Sequence, residues 1–121
     1  MHDELLERIR EFNSERDWGK YHSPKNLAMS VLIESAELAE IFQWCTEEES
    51  WSPSAGEIEH AGEEIADVLI YLLNLSDKLG IDPFKAAFRK LEINRRKYPA
   101  DIFRGSSLKY SELGRNEDDR D

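Results

Sequence analysis

The sequence predicts an all-α protein. Apolar residues recur at three- and four-residue spacing over most of the chain, and capping and breaking residues fall at the joints between those periodic runs. The composition, 40% hydrophobic and 35% charged, suits a helical globular chain rather than a disordered one.

The first helix is expected over Glu4 to Arg16, with Leu5, Ile9 and Phe12 on one face. Gly19 breaks it, and DWGKYHSPKN forms an irregular link dense in Trp18, Tyr21 and His22. Trp18 either pins this link to the core or stacks on a ligand, and Lys20 and Lys25 beside it suit a base or phosphate. Ser23 as N-cap and Pro24 as first helical residue open a second helix running to Cys45. TEEESWSPSAGE then reads as a solvated loop. Ser52 and Pro53 start the third helix, which continues to Leu79 although Gly56 and Gly62 weaken its early turns. From Ile65 onward it is apolar almost all round, so burying every side in so short a chain calls for a second subunit. Gly80 ends it, and Asp82-Pro83 opens a fourth helix that stops at Pro99. That helix carries Phe84, Ala87, Phe88 and Leu91 on one face, with Lys90, Asn94 and Lys97 along another side as a candidate phosphate rim. IFRGSSLKYSEL is irregular and RNEDDRD is a charged, disordered tail, so one domain of residues 1–113 precedes a tail of 114–121.

Two of these helices carry acids where apolar residues belong. One stripe is Leu27, Val31, Glu34, Leu38 and Ile41; the other is Ala61, Glu64, Val68, Tyr71, Leu75 and Leu79. Each has a second acid three residues on, Glu37 and Asp67, so each pair shares a helix face at roughly 5–6 Å between Cβ atoms. A buried carboxylate without a partner is costly, and it escapes by a raised pKa, a cationic partner or a metal. Face-to-face packing brings up to four carboxylates together, a donor set for hard divalent cations such as Mg²⁺. A single E-x-x-E is usually a solvated helix face; two inside apolar stripes point to a metal site. Trp44 continues the Glu37 face and is placed to wall the same cavity, as are Tyr71 and Asn74, unless Asn74 only satisfies an interhelical hydrogen bond.

The net charge of −10 excludes a basic nucleic-acid footprint, although metal ions would still admit a nucleotide. The lone Cys45 excludes an intramolecular disulfide and reads as structural. The opening MHDELLERIREF has no apolar signal region, and no run approaches the ~20 apolar residues of a membrane span. The expectation is a cytoplasmic, soluble protein that binds no membrane. A G-x-x-x-x-G-K-[ST] phosphate loop is absent, and His2, His22 and His60 have no metal-ligand spacing with cysteine.

These residues together resemble the MazG-like all-α nucleoside triphosphate pyrophosphohydrolases, and within them the dCTP pyrophosphatases. The signature E-x-x-E, spacer, E-x-x-D stands here as Glu34-Ser-Ala-Glu37 and Glu64-Ile-Ala-Asp67. Its surroundings are RDW, SPKNLAMSVLIESAELAEIFQW, EEIADVLIYLLNL, KLEINRRKYP and FRGSSLKY, which span nearly all of the chain except the tail. Glu40 and Glu63 leave open which carboxylates bind metal. The resemblance implies a four-helix bundle assembling as a homodimer or dimer of dimers. It implies Mg²⁺ held by Glu34, Glu37, Glu64 and Asp67, and hydrolysis between the α- and β-phosphates of a deoxynucleoside triphosphate. By the same matching, Trp18, His22, Trp44, Tyr71 and Asn94 form the base and sugar pocket, and Lys90 and Tyr98 lie near the phosphates. Glu37, with Glu34 beside it, is the candidate base for the attacking water. The competing readings are a broad NTP/dNTP pyrophosphatase and, from another class, a non-enzymatic helical interaction module.

Overall fold

The computed structural model describes residues 2–105, and all regular structure among them is helical. The expected tail and the boundary at residue 113 lie outside the described residues. The order is α1 His2–Glu15, a 3-10 turn Trp18–Tyr21, α2 Pro24–Glu40, α3 Glu47–Ser50, α4 Ala55–Lys78, α5 Pro83–Lys97 and α6 Ala100–Phe103. The described chain divides into two units, one ending at Ile81 and one beginning at Asp82.

In the first unit α2 and α4 pack against each other along their length, and α1 adds to α4 and to the 3-10 turn. The two stripes read from sequence form this seam. Leu27 is fully buried, and Val31, Glu34, Leu38, Ala61, Glu64, Val68 and Tyr71 are all at least half-buried, while their neighbours on the outer faces are exposed. Arg10 of α1 reaches Asp77 of α4 with two guanidinium nitrogens, Nε at 3.0 Å from Oδ2, fixing where α1 lies on α4.

Local chemistry sets the boundaries. Ser23 caps α2 by accepting from the Asn26 amide at 3.1 Å, with Pro24 following as its first residue. The helix ends at Glu40, five residues short of the expected Cys45; residues 41–45 continue as turns, with Phe42 N–H on Ala39 O and Cys45 N–H on Phe42 O. The acidic segment read as loop contains α3, because Thr46 accepts from the Glu49 amide and makes the cap that three glutamates then follow. The third long helix starts at Ala55 rather than at Ser52, since Ser54 and Glu57 form a reciprocal capping box with bonds of 3.0 and 3.1 Å. Its other end is closed by Gly80 at φ 66°, with Ile81 N–H on Ser76 O at 2.8 Å and Gly80 N–H on Asp77 O at 3.2 Å. That doubly bonded left-handed turn satisfies the last carbonyls and needs glycine there.

In the second unit Asp82 caps α5 through Phe84 and Lys85 amides at 3.0 and 3.1 Å. Pro99 stops α5, but the segment beyond it, read as irregular, forms α6, whose Phe103 packs edge-on to Tyr98 at 5.0 Å between ring centroids.

Very little of the first unit is sealed from solvent by its own chain. Only Ile9, Leu27, Leu73 and Asn74 are buried among the described residues, while Ile65 of the all-round apolar stretch is 55% exposed. Because α4 depends on its capping box, Ser54→Ala should cost about 1 kcal/mol of stability. Thermal denaturation at fixed protein concentration should show a melting temperature lowered by a few degrees, with helical content unchanged in the folded state.

Candidate functional site

The acids of the seam meet. Glu34 and Glu37 on α2 and Glu64 on α4 each offer a carboxylate oxygen, and these three oxygens lie within 4.8 Å of one another. The helical spacing puts them there: Glu34 and Glu64 hold seam positions, and Glu37 lies one turn further along α2 on the exposed edge. The side chain of Glu64 is 12% exposed. Clusters of surface acids are common, but two oxygens here are sealed from solvent with no hydrogen-bond partner, Glu34 Oε2 and Glu64 Oε2. Orphaned buried oxygens are rare in folded proteins because desolvating them is costly.

Electrostatics report the same crowding. Burial, a hydrogen bond with Glu37, and repulsion from Glu37, Asp67 and Glu64 push the Glu34 carboxyl up to about 7. The all-oxygen donor set, the like charge and the two unpartnered oxygens together fit a hard divalent cation. Asp67 stands outside the close trio. It contributes to the field on Glu34 and lines the neighbouring cavity. Glu40 and Glu63 are exposed and do not belong to the trio.

That cavity, about 390 Å³, lies between α1, the 3-10 turn and α4. Its volume suits a small-molecule ligand. α1 supplies Leu5, Ile9 and Phe12, the turn segment supplies Trp18 and His22, and α4 supplies Asp67, Tyr71 and Asn74. Trp18 stands edge-on between Phe12, at 5.5 Å, and His22, at 6.4 Å. Asn74 donates from Nδ2 to His22 Nδ1 at 3.2 Å. Burial, and after it the charge of Lys78, lowers the His22 pKa and so favours the neutral ring.

Three expected pocket residues, Trp18, His22 and Tyr71, thus line one cavity that Asp67 joins to the carboxylate cluster. Trp44 does not line it: that ring is 90% exposed, in the turns after α2, because the helix ends at Glu40 and no longer carries it along the Glu37 face. Lys90, Asn94 and Tyr98 belong to the second unit, Lys90 exposed on α5, Asn94 partly buried on the same helix and Tyr98 at its C-cap against Phe103. Cys45 places its thiol on the Phe42 carbonyl at 3.1 Å. Two contributions are not evident from the motifs. His60 lies with Nε2 3.3 Å from Glu64 Oε1, a pairing that the four-residue spacing on α4 would have signalled. The apolar face of α1 also walls the cavity, which no periodicity within α1 distinguishes from ordinary packing.

The MazG-like family model matches residues 29–113. The chain is 47% identical over 116 residues to dCTP pyrophosphatase 1 of Homo sapiens, covering 89% of this chain and 67% of that protein. It is 42% identical over 118 residues to dCTP pyrophosphatase 1 of Mus musculus, covering 91% and 68%. A pyrophosphatase crystal structure from Archaeoglobus fulgidus superposes with a TM-score of 0.77 at 53% identity, covering 80% of this chain and 91% of that one.

The raised Glu34 carboxyl sets a pH dependence. A carboxyl whose folded value lies above its unfolded value of about 4.5 stabilises the fold fully below that value, and loses this contribution as pH rises through about 7. Metal-free protein should therefore melt at progressively lower temperature from pH 5 to pH 8. In Glu34→Gln the decline should be shallower, as calorimetry on both proteins across that range would measure.

Proposed function

This chain belongs to the MazG-like family, and on that premise we propose that it is a Mg²⁺-dependent nucleoside triphosphate diphosphatase that converts dCTP, or dCTP with a modified base, to dCMP and pyrophosphate. The role is removal of unwanted nucleotides from the pool. The observation that carries the reading is the pair of sealed, unpartnered oxygens on Glu34 and Glu64 beside Glu37, next to an aromatic-walled cavity of nucleoside size. Relatives named for dCTP and a solved pyrophosphatase support the reaction class.

Glu34, Glu37, Glu64 and Asp67 would hold the ion, with Asp67 contributing from the cavity side. When bound, Mg²⁺ supplies charge neutralisation on the triphosphate and acidifies a coordinated water. The residues of the chain do the rest. Glu37, the exposed member of the trio, takes the proton of the attacking water as that water adds to phosphorus and pyrophosphate leaves. Trp18 and Tyr71 embrace the base, and His22 meets its edge. Lys90, Asn94 and Tyr98 serve the phosphates and the sugar or base edge, the lysine through charge-assisted hydrogen bonds.

The protein works as a homodimer or homotetramer in the cytoplasm, with residues 1–113 as the catalytic domain. The exposed apolar surface of α4 supports assembly, and Trp44 at 90% and Trp51 at 86% exposure have the character of contact residues for a partner copy. Nucleic acid is disfavoured as a partner by the net charge of −10, and no helix of the described residues is long and apolar enough to cross a membrane.

The test is a pyrophosphate-release assay with Mg²⁺ over the common dNTPs and NTPs and 5-modified dCTPs. Cytosine deoxynucleotides should lead the panel; a flat profile would identify a broad-specificity pyrophosphatase instead. Glu37→Ala and Asp67→Ala should each lower turnover by about a thousandfold or more while keeping the helical fold, because removing clustered like charge relieves repulsion. Full turnover in both variants would refute the metal assignment. A chain indifferent to Mg²⁺ and to every nucleotide would be a helical interaction module. Sedimentation at micromolar concentration should show a dimer or tetramer.

A further inference from the structure

On the reading that the aromatic cavity holds the base, we infer that Asn74 is a positioning residue. It holds His22 as the tautomer protonated at Nε2, and so tunes the pocket to a base that presents a bare ring nitrogen, as cytosine does, over one that presents N–H, as thymine and uracil do.

Asn74 is 4% exposed and sits among Ile70, Leu73 and Tyr71 on a helix that is otherwise apolar there. A buried amide is retained at such a position only if it is hydrogen-bonded. Its Nδ2 lies 3.2 Å from His22 Nδ1, joining the C-terminal part of α4 to the residue that follows the 3-10 turn. An amide nitrogen has only protons to give, so Nδ1 must carry the lone pair. In a neutral imidazole the single proton then resides on Nε2.

The neutral state is secured by the surroundings. The ring is partly buried in an apolar cavity, with Lys78 as the charge that acts on it and no carboxylate paired to it among the described residues. Trp18 packs edge-on to the imidazole at 6.4 Å between ring centroids, a second contact on the ring besides the amide of Asn74. Nε2 makes no hydrogen bond among the described residues, which leaves this one donor to a ligand in the cavity. Opposite the N3 of cytosine, a donor meets an acceptor. Opposite the N3–H of thymine or uracil, two donors face each other in a half-dry pocket, and a mismatch of that kind discriminates far more sharply than an added methyl group does.

The inference separates from the functional reading on which it rests, because the tautomer can be read without substrate. Long-range ¹H–¹⁵N correlation on the ¹⁵N-labelled full chain at neutral pH should show His22 with an unprotonated Nδ1 and a protonated Nε2. Asn74→Leu, close in size and apolar, should give an averaged pattern, and Asn74→Asp, an acceptor at the same place, should put a proton on Nδ1. A wild-type ring protonated at Nδ1, or spectra that ignore both substitutions, overturns the assignment. In parallel, the ratio of kcat/KM for dCTP over dTTP should fall by about tenfold in Asn74→Leu, through KM more than kcat. An unchanged ratio beside an altered tautomer overturns the selectivity argument. If the wild-type chain hydrolyses no nucleotide, the functional reading has failed, and the spectra still decide which nitrogen of His22 holds the proton.

Discussion

Repulsion among carboxylates inside a helix–helix seam is the constraint from which the rest of the structure follows. Glu34 and Glu64 occupy positions on α2 and α4 that would otherwise take leucine or valine, and each hides an oxygen from solvent without a partner. Packing alone would expel them, since desolvation and like charge both oppose the ionised state. They remain because the seam is held from elsewhere: Leu27 and Leu73 are buried at the end where the start of α2 lies beside the C-terminal part of α4, and the Arg10–Asp77 pair ties α1 to α4. Stability that the seam forgoes at the acids is the condition for a donor set that fits a cation, which is the usual exchange between stability and function at a strained polar cluster.

The same constraint bears on assembly. A chain of 121 residues that gives seam positions to acids has few left with which to bury itself. Ile65, Leu69 and Leu72 on α4 are exposed in the single chain. Large apolar side chains exposed together on one helix are what the proposed assembly would cover.

Much of this was legible in the sequence because helical periodicity is a strong local signal. The two stripes, the intrusion of Glu34 and Glu64 into them, the Ser23-Pro24 start, the Gly80 stop and the Asp82-Pro83 start all lie within a few residues of the chain, and each is a property of one helix at a time. What was less legible depends on competition between neighbours. Ser52 and Ser54 are both plausible caps, and Glu57 decides for Ser54 by closing the capping box. Thr46 turns three glutamates from loop into helix, and the early end of α2 takes Trp44 off the face on which periodicity had put it. The role of α1 as a cavity wall, and the bond between Asn74 and His22 across 52 residues, are tertiary facts that no window of sequence contains.

One helix joins the two halves of the site. Glu64, Asp67, Tyr71 and Asn74 follow one another along α4 at intervals of three and four residues, so they lie on one face in a rising line. At 1.5 Å per residue the line from Glu64 to Asn74 is about 15 Å long, with Asp67 less than a third of the way along. Carboxylates occupy one end, aromatic and amide groups the other, and Asp67 belongs to both through its field on Glu34 and its place in the cavity wall. A continuous helix cannot change these intervals without breaking its own hydrogen bonds. The distance between the carboxylate end and the aromatic end is therefore set by backbone geometry rather than by loops. A ligand that engages both ends must carry its charge and its aromatic ring at a matching separation, and α4 applies that requirement before any single contact discriminates.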